Sequence, residues 1–405
     1  MLIPKNNLLI LTNTHGIGCT NRTIEVFTRK LNRKLFNIHL IYLDQAYDNP
    51  IEHSNGFKEI NIVLTNSIFF GEGKSYQKAI ALLNYCQQQQ IRVVDIAHFA
   101  KFDPLVDSLL TKRLFVSQTL LLKYALLAQK HGLSLGKYDY LYNPVSIITR
   151  TLSDTKLAEQ AAVAAKGTSQ FVIGRIGRAN IDKWDHMIIK IVPYILAKIP
   201  QCKFIIQSMP KELISKIPTN LKHHVQVLPE TNNHQQVLET IQRCDILVQT
   251  SKIGESFGCA IAEGMALGKP IITNSTDFHA PVFFDRDNAQ IELIEDTVNG
   301  FVENTPEKMA QRIVELYENR ALYEKISQAN KKKVATLFGV EKLTQRLENF
   351  LLGKEKKLAI LPLTLADYKA KIKKESFMTI ISLNMEYFMR RLRRKLTHLG
   401  LLRCC

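Results

Sequence analysis

Short apolar runs alternate along the chain with longer segments in which apolar residues recur every three or four positions. Apolar runs of four to eight residues are typical of buried strands, and the longer period is typical of amphipathic helices. Two such series follow each other, one on each side of residues 146–168. The predicted strands are 8–12, 37–43, 60–65, 92–97, 113–117 and 138–145 in the first series, and 170–176, 202–208, 224–230, 245–251 and 270–274 in the second. Helices are predicted over 20–34, 76–90, 120–131 and 154–166.

Continuous apolar strands separated by helices predict an α/β protein whose parallel sheets are covered on both faces. Two series therefore predict two doubly wound, Rossmann-like domains, over 1–150 and 151–352. Helices dominate residues 305–352, and these last helices could cross back to the first domain. Residues 353–405 form a separate C-terminal tail.

Composition is that of a globular protein, with 46% apolar and 22% charged residues. The net charge is +17, and residues Gly353 to Cys405 hold 13 Lys and Arg against 4 Asp and Glu. The body of the chain has no basic stripe interleaved with aromatic residues, so nucleic acid is not an expected partner.

The seven cysteines are scattered without a C-x-x-C pair, which argues against a disulfide framework or a zinc site and favours a reducing compartment. The first apolar run is too short for a signal peptide, and no apolar run approaches the roughly 18 residues of a membrane span. We expect a cytoplasmic protein that neither is secreted nor crosses a bilayer.

Ligands of doubly wound sheets bind beyond the carboxyl ends of the strands, so the loops at these ends carry the chemistry. The first loop, "TNTHGIGCTNR" (12–22), offers Gly16 and Gly18 for close approach of backbone to a ligand, or merely for a tight turn. The stretch "VIGRIGRANIDKWDH" (172–186) places Arg178 and Lys183 in a strand-end loop. Guanidinium and ammonium groups suit a diphosphate.

The stretch "SKIGESFGCAIAEGMALGKPIIT" (251–273) holds two glutamates eight positions apart. The backbone N–H groups of "GESFG" and the helix start after it predict an anion-holding loop, in which Glu255 faces the group beside the anion. Glu263 lies one turn into an apolar helix, where it could reach a diol such as a ribose. Two carboxylates in a cleft without such partners would be costly.

The motif "GESFGCAIAEGMALGKPII" resembles the E-x7-E signature of glycosyltransferase family 4, retaining enzymes with the GT-B fold of two facing Rossmann-like domains. "VIGRIGRANIDKW" resembles the phosphate-binding Gly-Arg…Lys loop of that family, and "LYNPV" (141–145) its crossing into the second domain. The resemblance covers about residues 170–350. It is carried in the first half mainly by element order and by the glycine loop.

The resemblance implies a role for each matching residue. Arg175 and Lys183 would hold the donor diphosphate and offset charge on the leaving nucleotide. Glu255 would contact the donor sugar, beside the amides of Ser256, Phe257 and Gly258, and Glu263 would bind the ribose. Gly16 and Gly18 would complete the donor site.

The family often carries a histidine after a strand of the first domain. His98 in "VVDIAHFAKFD" is the candidate, although a shift of two positions would place Ala100 there, and His15 is the second choice. No metal or other cofactor is implied, because fixed cations and helix dipoles replace the metal. "DRD" (285–287) imitates the D-x-D metal motif of another transferase fold, and we expect it to lie in a loop.

We therefore expect an enzyme that moves a sugar from a UDP- or GDP-linked donor to a glycan or lipid-linked acceptor, with retention, in polysaccharide or lipopolysaccharide biosynthesis. Two alternatives stay open. A nucleotide-sugar epimerase of the same fold would need no acceptor, and a catalytically silent member would bind donor or stabilise a partner transferase.

The tail segment "IISLNMEYFMRRLRRKLTHLGLL" (380–402) predicts a basic amphipathic helix that suits an anionic membrane surface, with a helix packed on the first domain as the alternative. Its apolar face is predicted to comprise Ile381, Met385, Phe388, Met389, Leu392, Leu396 and Leu399. Its positive charge comes from Arg390, Arg391, Arg393, Arg394 and Lys395. Cys404 and Cys405 could accept a lipid, although no prenylation motif is present.

Overall fold

A computed structural model describes residues 5–12, 18–42, 60–66, 74–133, 135–145, 170–355 and 360–398. The predicted boundary between 150 and 151 and the predicted helix over 154–166 lie outside these residues, as do His15, Gly16 and Cys404 with Cys405.

The first domain is a six-stranded parallel sheet in the order β2-β1-β3-β4-β5-β6. Strand β1 lies between β2 and β3 and is buried from Leu8 to Thr12, as expected for a parallel strand covered on both faces. The strands are β1 (Asn6–Thr12), β2 (Phe36–Tyr42), β3 (Ile62–Asn66), β4 (Arg92–Ala97), β5 (Lys112–Phe115) and β6 (Tyr138–Tyr140). The helices are α1 (Cys19–Lys30), α2 (Lys74–Gln88), α3 (Pro104–Leu109) and α4 (Gln118–Lys130), followed by a 3₁₀ turn over Leu135–Lys137.

The second domain repeats this plan, with the strand order β12-β11-β10-β7-β8-β9, again parallel throughout. The strands are β7 (Val172–Ile176), β8 (Lys203–Gln207), β9 (Val225–Leu228), β10 (Ile246–Gln249), β11 (Ile271–Thr273) and β12 (Phe301–Val302). The helices are α5 (Met187–Leu196), α6 (Lys211–Ile214), α7 (His234–Gln242), α8 (Cys259–Ala266), α9 (Gln290–Leu293), α10 (Pro306–Glu318), α11 (Arg320–Leu337) and α12 (Val340–Leu351), with a 3₁₀ turn over Thr219–His224. The prediction of two doubly wound α/β domains is confirmed, and β12 is a strand that the apolar pattern was too short to predict.

Helix α12 returns from the second domain and packs on the first. Its side chain Arg346 pairs with Asp139 at 3.0 Å, and its Phe350 carbonyl accepts a hydrogen bond from Arg92 Nε at 3.1 Å. Where the chain leaves the first domain, the Val145 amide donates to the Phe338 carbonyl at 2.9 Å. The two crossings therefore run side by side.

The tail forms α13 (Leu365–Lys371) and α14 (Phe377–His398). Helix α13 begins with a capping box, in which Thr364 and Asp367 satisfy each other's backbone amides. The contacts of α14 that the structure describes run to loops of the second domain, so the alternative of a helix packed on the first domain is wrong. Within the described ranges, no helix combines the length and apolar character needed to cross a membrane.

A carboxylate from the second domain also caps a helix of the first. Glu292 in α9 accepts hydrogen bonds from the amides of Gln118 and Thr119, at 2.7 and 3.2 Å, at the N-terminus of α4. Burial between the domains raises the pKa of Glu292 from 4.5 to about 7, although these hydrogen bonds favour the charged form.

This raised pKa predicts a pH dependence of stability. Because the folded state holds the Glu292 proton more tightly, the contribution is complete below pH 4.5 and is lost as pH rises through 7. We expect the free energy of unfolding to fall over this interval by about 3 kcal/mol more in the wild type than in Glu292→Gln. Chemical denaturation at several pH values measures it. The control Glu295→Gln, at an exposed neighbouring glutamate, should keep the wild-type slope. Equal slopes in wild type and Glu292→Gln would contradict the assignment.

Candidate active site

An open cleft of about 550 Å³ lies between the domains at the carboxyl ends of the strands. Its walls come from the loops that follow β7, β8, β9 and β10 and from the N-terminal part of α1. This is where doubly wound sheets bind their ligands, and the volume suits a small organic molecule. The predicted residues that line it are Gly18, Arg175, Lys183, Glu255, Gly258 and Glu263.

Gly18 brings the first domain close to the cation loop of the second. Its φ is +145°, a backbone conformation that other L residues rarely adopt. A Cβ there would lie 3.1 Å from Nη1 of Arg178. The backbone conformation therefore favours glycine here, whereas the contact of a Cβ with the Arg178 side chain would be only slightly too close.

The two arginines of the cation loop have different environments. Arg175 is 4% exposed, and its guanidinium stacks over Trp184 at 4.3 Å. It donates to Gln249 Oε1 at 2.7 Å and to the Thr250 carbonyl at 2.8 Å, and burial lowers its pKa. Arg178 is exposed and lines the cleft. The structure thus places Arg175 where it ties β7 to β10, and Arg178 where it lines the cleft.

Lys183 and Glu255 come from different loops and meet in the cleft. The Nζ of Lys183 lies 2.8 Å from Oε2 of Glu255, and both side chains are about a quarter exposed, at 26% and 21%. Each charge is satisfied by the other, but neither is buried deeply enough to be locked. The pair can therefore separate when a ligand offers an anion to Lys183 and hydroxyl groups to Glu255.

The loop that carries Glu255 is held from both sides. The Glu255 amide donates to Gln290 Oε1 at 2.9 Å, and its carbonyl accepts from the Ala289 amide at 2.7 Å. Gly254 has a φ of +70°, and a Cβ there would lie 1.8 Å from the Asp287 carbonyl oxygen. Gly258, with a φ of +100°, precedes α8 and leaves the N-terminus of that helix open to the cleft.

Glu263 lies in α8 and is 8% exposed. It pairs with Arg22 of α1, on the opposite domain, and His234 Nε2 lies 3.1 Å from its Oε1. Arg22 and His234 also line the cleft. Sequence reasoning did not find them, because a lone arginine and a lone histidine carry no motif.

The remaining predicted residues of this loop do not line the cleft with their side chains. Phe257 is 2% exposed and packs in an aromatic group with Tyr142 and Phe338, where the domains meet. Ser256 is partly buried. Cys259, the next residue after Gly258, is disulfide-bonded, whereas Cys86, Cys202 and Cys244 are free.

His98 follows β4 and is 3% exposed. Its Nε2 lies 3.1 Å from Asn66 Oδ1, and Asn66 also donates to Thr12 Oγ1 at 3.2 Å. Burial lowers the pKa of His98 to about 3, so the ring is neutral at ordinary pH. His98 is not among the residues that line the cleft. Ala100, the alternative in register, is packed in the core.

The "DRD" segment lies in a loop, as expected, and its carboxylates bind a lysine. Lys123 Nζ, from the first domain, lies 2.7 Å from Asp285 and 2.9 Å from Asp287. Arg286 between them is buried. No group of three or more His, Cys, Asp or Glu side chains in the described part of the chain could hold a metal ion.

Two glutamines at strand ends add polar groups to the cleft walls. Gln207 and Gln249 line it, and Gln207 Oε1 and Gln249 Nε2 are buried without a hydrogen-bond partner among the described residues. Buried polar atoms in native proteins nearly always have a partner. These atoms therefore indicate where water or a ligand completes the wall.

Comparisons with known proteins bear on the family and the fold of the chain. Residues 158–333 match the family described as glycosyl transferases group 1. No curated protein matches the chain.

Several solved structures share the fold. Anabaena HepE in complex with UDP is 17% identical, with a TM-score of 0.65 over 86% of this chain and 100% of that chain. HepE in complex with UDP-glucose is 18% identical, with a TM-score of 0.64 over 86% and 99%. A glycosyltransferase from Rickettsia africae is 16% identical, with a TM-score of 0.61 over 87% and 100%. The chain therefore has the GT-B fold of glycosyltransferases, and most of its second domain matches the glycosyl transferases group 1 family.

Proposed function

We propose that the protein is a retaining glycosyltransferase of family 4, which moves a sugar from a nucleotide-sugar donor to a glycan or lipid-linked acceptor. The observation that carries the proposal is the pairing of Lys183 with Glu255 in an interdomain cleft that also holds Glu263. A cation for a diphosphate, a carboxylate for sugar hydroxyls and a second carboxylate for a ribose match the three parts of a nucleotide sugar. UDP-linked sugars are the first donors to test, because HepE was crystallised with UDP and UDP-glucose.

In the proposed reaction, the bond between the anomeric carbon and the diphosphate oxygen breaks, and the acceptor hydroxyl oxygen bonds to that carbon from the same face. The hydroxyl proton is released and the nucleoside diphosphate leaves. Lys183 and Arg178 stabilise the charge that develops on the diphosphate, and the open N-terminus of α8 adds its dipole. Arg175 adds positive charge from behind and holds the loop in place.

Glu255 orients the donor sugar through its hydroxyls, beside the amides of Ser256, Phe257 and Gly258. Glu263 holds the ribose. His98 carries a neutral ring, and because it is buried outside the residues that line the cleft, we assign it no direct contact with the donor. Gly18 lines the cleft from the first domain, and the resemblance implies that Gly16, which lies outside the described residues, belongs to the donor site as well.

The test is a panel of UDP- and GDP-sugars, assayed for nucleotide release with and without acceptor lipids. A transferase releases nucleotide in proportion to the acceptor that it glycosylates. An epimerase converts the donor without acceptor, and a silent protein binds nucleotide without turnover. Release that ignores the acceptor, or no release with any donor, would overturn the proposal.

Metal independence is part of the proposal, because fixed cations occupy the place where a metal would balance the diphosphate. We expect turnover to be retained in EDTA. The same nucleotide-release assay measures this, and a metal-dependent transferase of another fold serves as the control. Complete loss with EDTA, restored by Mg²⁺ or Mn²⁺, would make Asp285 and Asp287 candidate ligands again.

We also propose that α14 binds the cytoplasmic face of an anionic membrane. The apolar side chains of this helix point to solvent: Phe377, Met378, Ile381, Met385, Phe388, Met389 and Leu392 are 38–75% exposed. A helix with such a face and flanking Arg and Lys residues suits the interface of an anionic bilayer, where each cation contributes about 1 kcal/mol. This contact would bring the cleft to a lipid-linked acceptor.

The double variant Met385→Ser and Phe388→Ser is expected to lose sedimentation with phosphatidylglycerol vesicles, because it removes the two most exposed apolar side chains in the middle of the face. Sedimentation at low salt measures it, with phosphatidylcholine vesicles as the control. Full-length protein that ignores the anionic vesicles would refute the membrane proposal.

A further inference from the structure

Helix α14 packs on the second domain and contacts the two loops that carry Lys183 and Glu255. Glu386 of α14 binds Lys252, three positions before Glu255. Arg390, one turn later in α14, binds Asp182, which precedes Lys183. Two successive turns of one helix thus hold the two loops of the cleft.

On the loop side, the contact of Glu386 with Lys252 is buried, whereas Asp182, the partner of Arg390, is 44% exposed. The Lys252 side chain is 3% exposed, and its described anionic partner is Glu386. An ammonium group in that position needs a partner, because an unpaired buried charge is costly. The tail therefore supplies the carboxylate that neutralises the buried Lys252 ammonium group of this loop.

The two loops are also tied to each other. The Lys252 amide donates to the Lys183 carbonyl at 3.2 Å, and the Lys252 carbonyl accepts from Arg286 Nε at 3.0 Å. Arg286 in turn makes a bidentate pair with Glu375, at 2.6 and 2.7 Å, just before α14 begins. Lys252 is thus connected to the tail through its side chain and through its backbone.

A shift at Lys252 would pass on to Glu255. The Asp287 amide donates to the Ile253 carbonyl at 2.8 Å, and Gly254 has no room for even a Cβ against Asp287. A loop packed this tightly moves as a unit. Misplacement of a catalytic group by about 1 Å can cost about 100-fold in rate.

We infer that Glu386 and Arg390 are positioning residues, which hold Lys183 and Glu255 in the geometry that binds the donor. The inference rests on the proposed function for the role of the two loops. It implies that removal of residues 376–405 would lower turnover even on a soluble acceptor. The apolar face of α14 is exposed and lies away from Glu386 and Arg390, so membrane binding and loop positioning can be separated by mutation.

The test compares full-length Glu386→Gln and Arg390→Gln with wild type in the absence of membranes. Trp184 is the single tryptophan and lines the cleft, so its fluorescence reports UDP binding. We expect the Kd for UDP and the KM for the donor to rise about 3- to 10-fold, with the melting temperature close to that of wild type. The control Lys374→Gln removes an exposed tail charge and should match wild type.

Charge reversal separates a specific pair from a general effect of the tail. Lys252→Glu combined with Glu386→Lys restores the attraction and should return the Kd to within about twofold of wild type, whereas Lys252→Glu alone should not. Unchanged UDP affinity in both Glu386→Gln and Arg390→Gln would overturn the inference.

Hydrogen exchange tests the positioning role independently of UDP binding. A wild-type protein that binds no UDP would count against the proposed function, but the exchange measurement would still be informative. Without nucleotide, we expect faster exchange in residues 180–184 and 251–258 of Glu386→Gln and Arg390→Gln than in Lys374→Gln. Equal exchange in these loops would refute the positioning role.

Discussion

Lys183→Ala is expected to lower turnover by about 100- to 1000-fold, the cost of removing one preorganised group that meets charge in the transition state. Lys183 is the ammonium that Glu255 holds in the cleft, at 2.8 Å. Its charge should matter more when the diphosphate leaves than when the intact donor binds. The loss should therefore appear in kcat more than in KM.

Steady-state nucleotide release with saturating donor measures this. Lys190→Ala, at an exposed lysine on α5, is the matched control and should turn over like wild type. Arg178→Ala should lower kcat by a smaller factor, because solvent screens the charge of its exposed side chain. Arg175→Ala should lower the melting temperature as well, since it removes hydrogen bonds to Gln249 and Thr250. A Lys183→Ala enzyme within threefold of wild-type kcat would contradict the assignment.

Glu263→Ala is expected to weaken UDP binding by about 1.5–3 kcal/mol, or roughly 10- to 150-fold, the scale of hydrogen bonds to a charged group. The ribose hydroxyls would lose the carboxylate that accepts both. Glu255→Ala, in contrast, should mostly lower turnover, because UDP alone has no donor sugar for Glu255 to contact. Calorimetry with UDP measures the affinities.

Arg22→Ala is the matched control for Glu263→Ala, because each variant removes the same interdomain ion pair. Only Glu263→Ala removes the carboxylate, so Arg22→Ala should bind UDP at least as tightly as wild type. Equal losses in the two variants would mean that the ion pair between the domains, and not a ribose contact, sets the affinity. Unchanged affinity in Glu263→Ala would end the ribose assignment.

The strand and helix pattern was readable from the sequence because buried parallel strands are continuous apolar runs, whose signal is local. The loops that follow these strands could be located for the same reason. The cluster of Lys183, Glu255 and Glu263 at one cleft was expected because strand ends of a doubly wound sheet share an edge.

The sequence by itself could not show which of Arg175 and Arg178 is buried and which is exposed in the cleft. Both are arginines in one stretch of chain, and only packing decides which guanidinium is buried. It also left the partners of Glu263 open. Arg22 and His234 reach it from other elements, and such pairs arise from the relative placement of whole domains and helices.

The amphipathic pattern of the tail was determined by the sequence, because helical spacing puts Ile381, Met385 and Phe388 on one face in any surroundings. Only the tertiary structure shows that the opposite face of this helix, with Glu386 and Arg390, contacts loops of the second domain. Glu386 contacts Lys252, which is 134 positions away in the chain. Charged residues on a helix are usually solvated, so the sequence does not show that this glutamate pairs with a buried lysine.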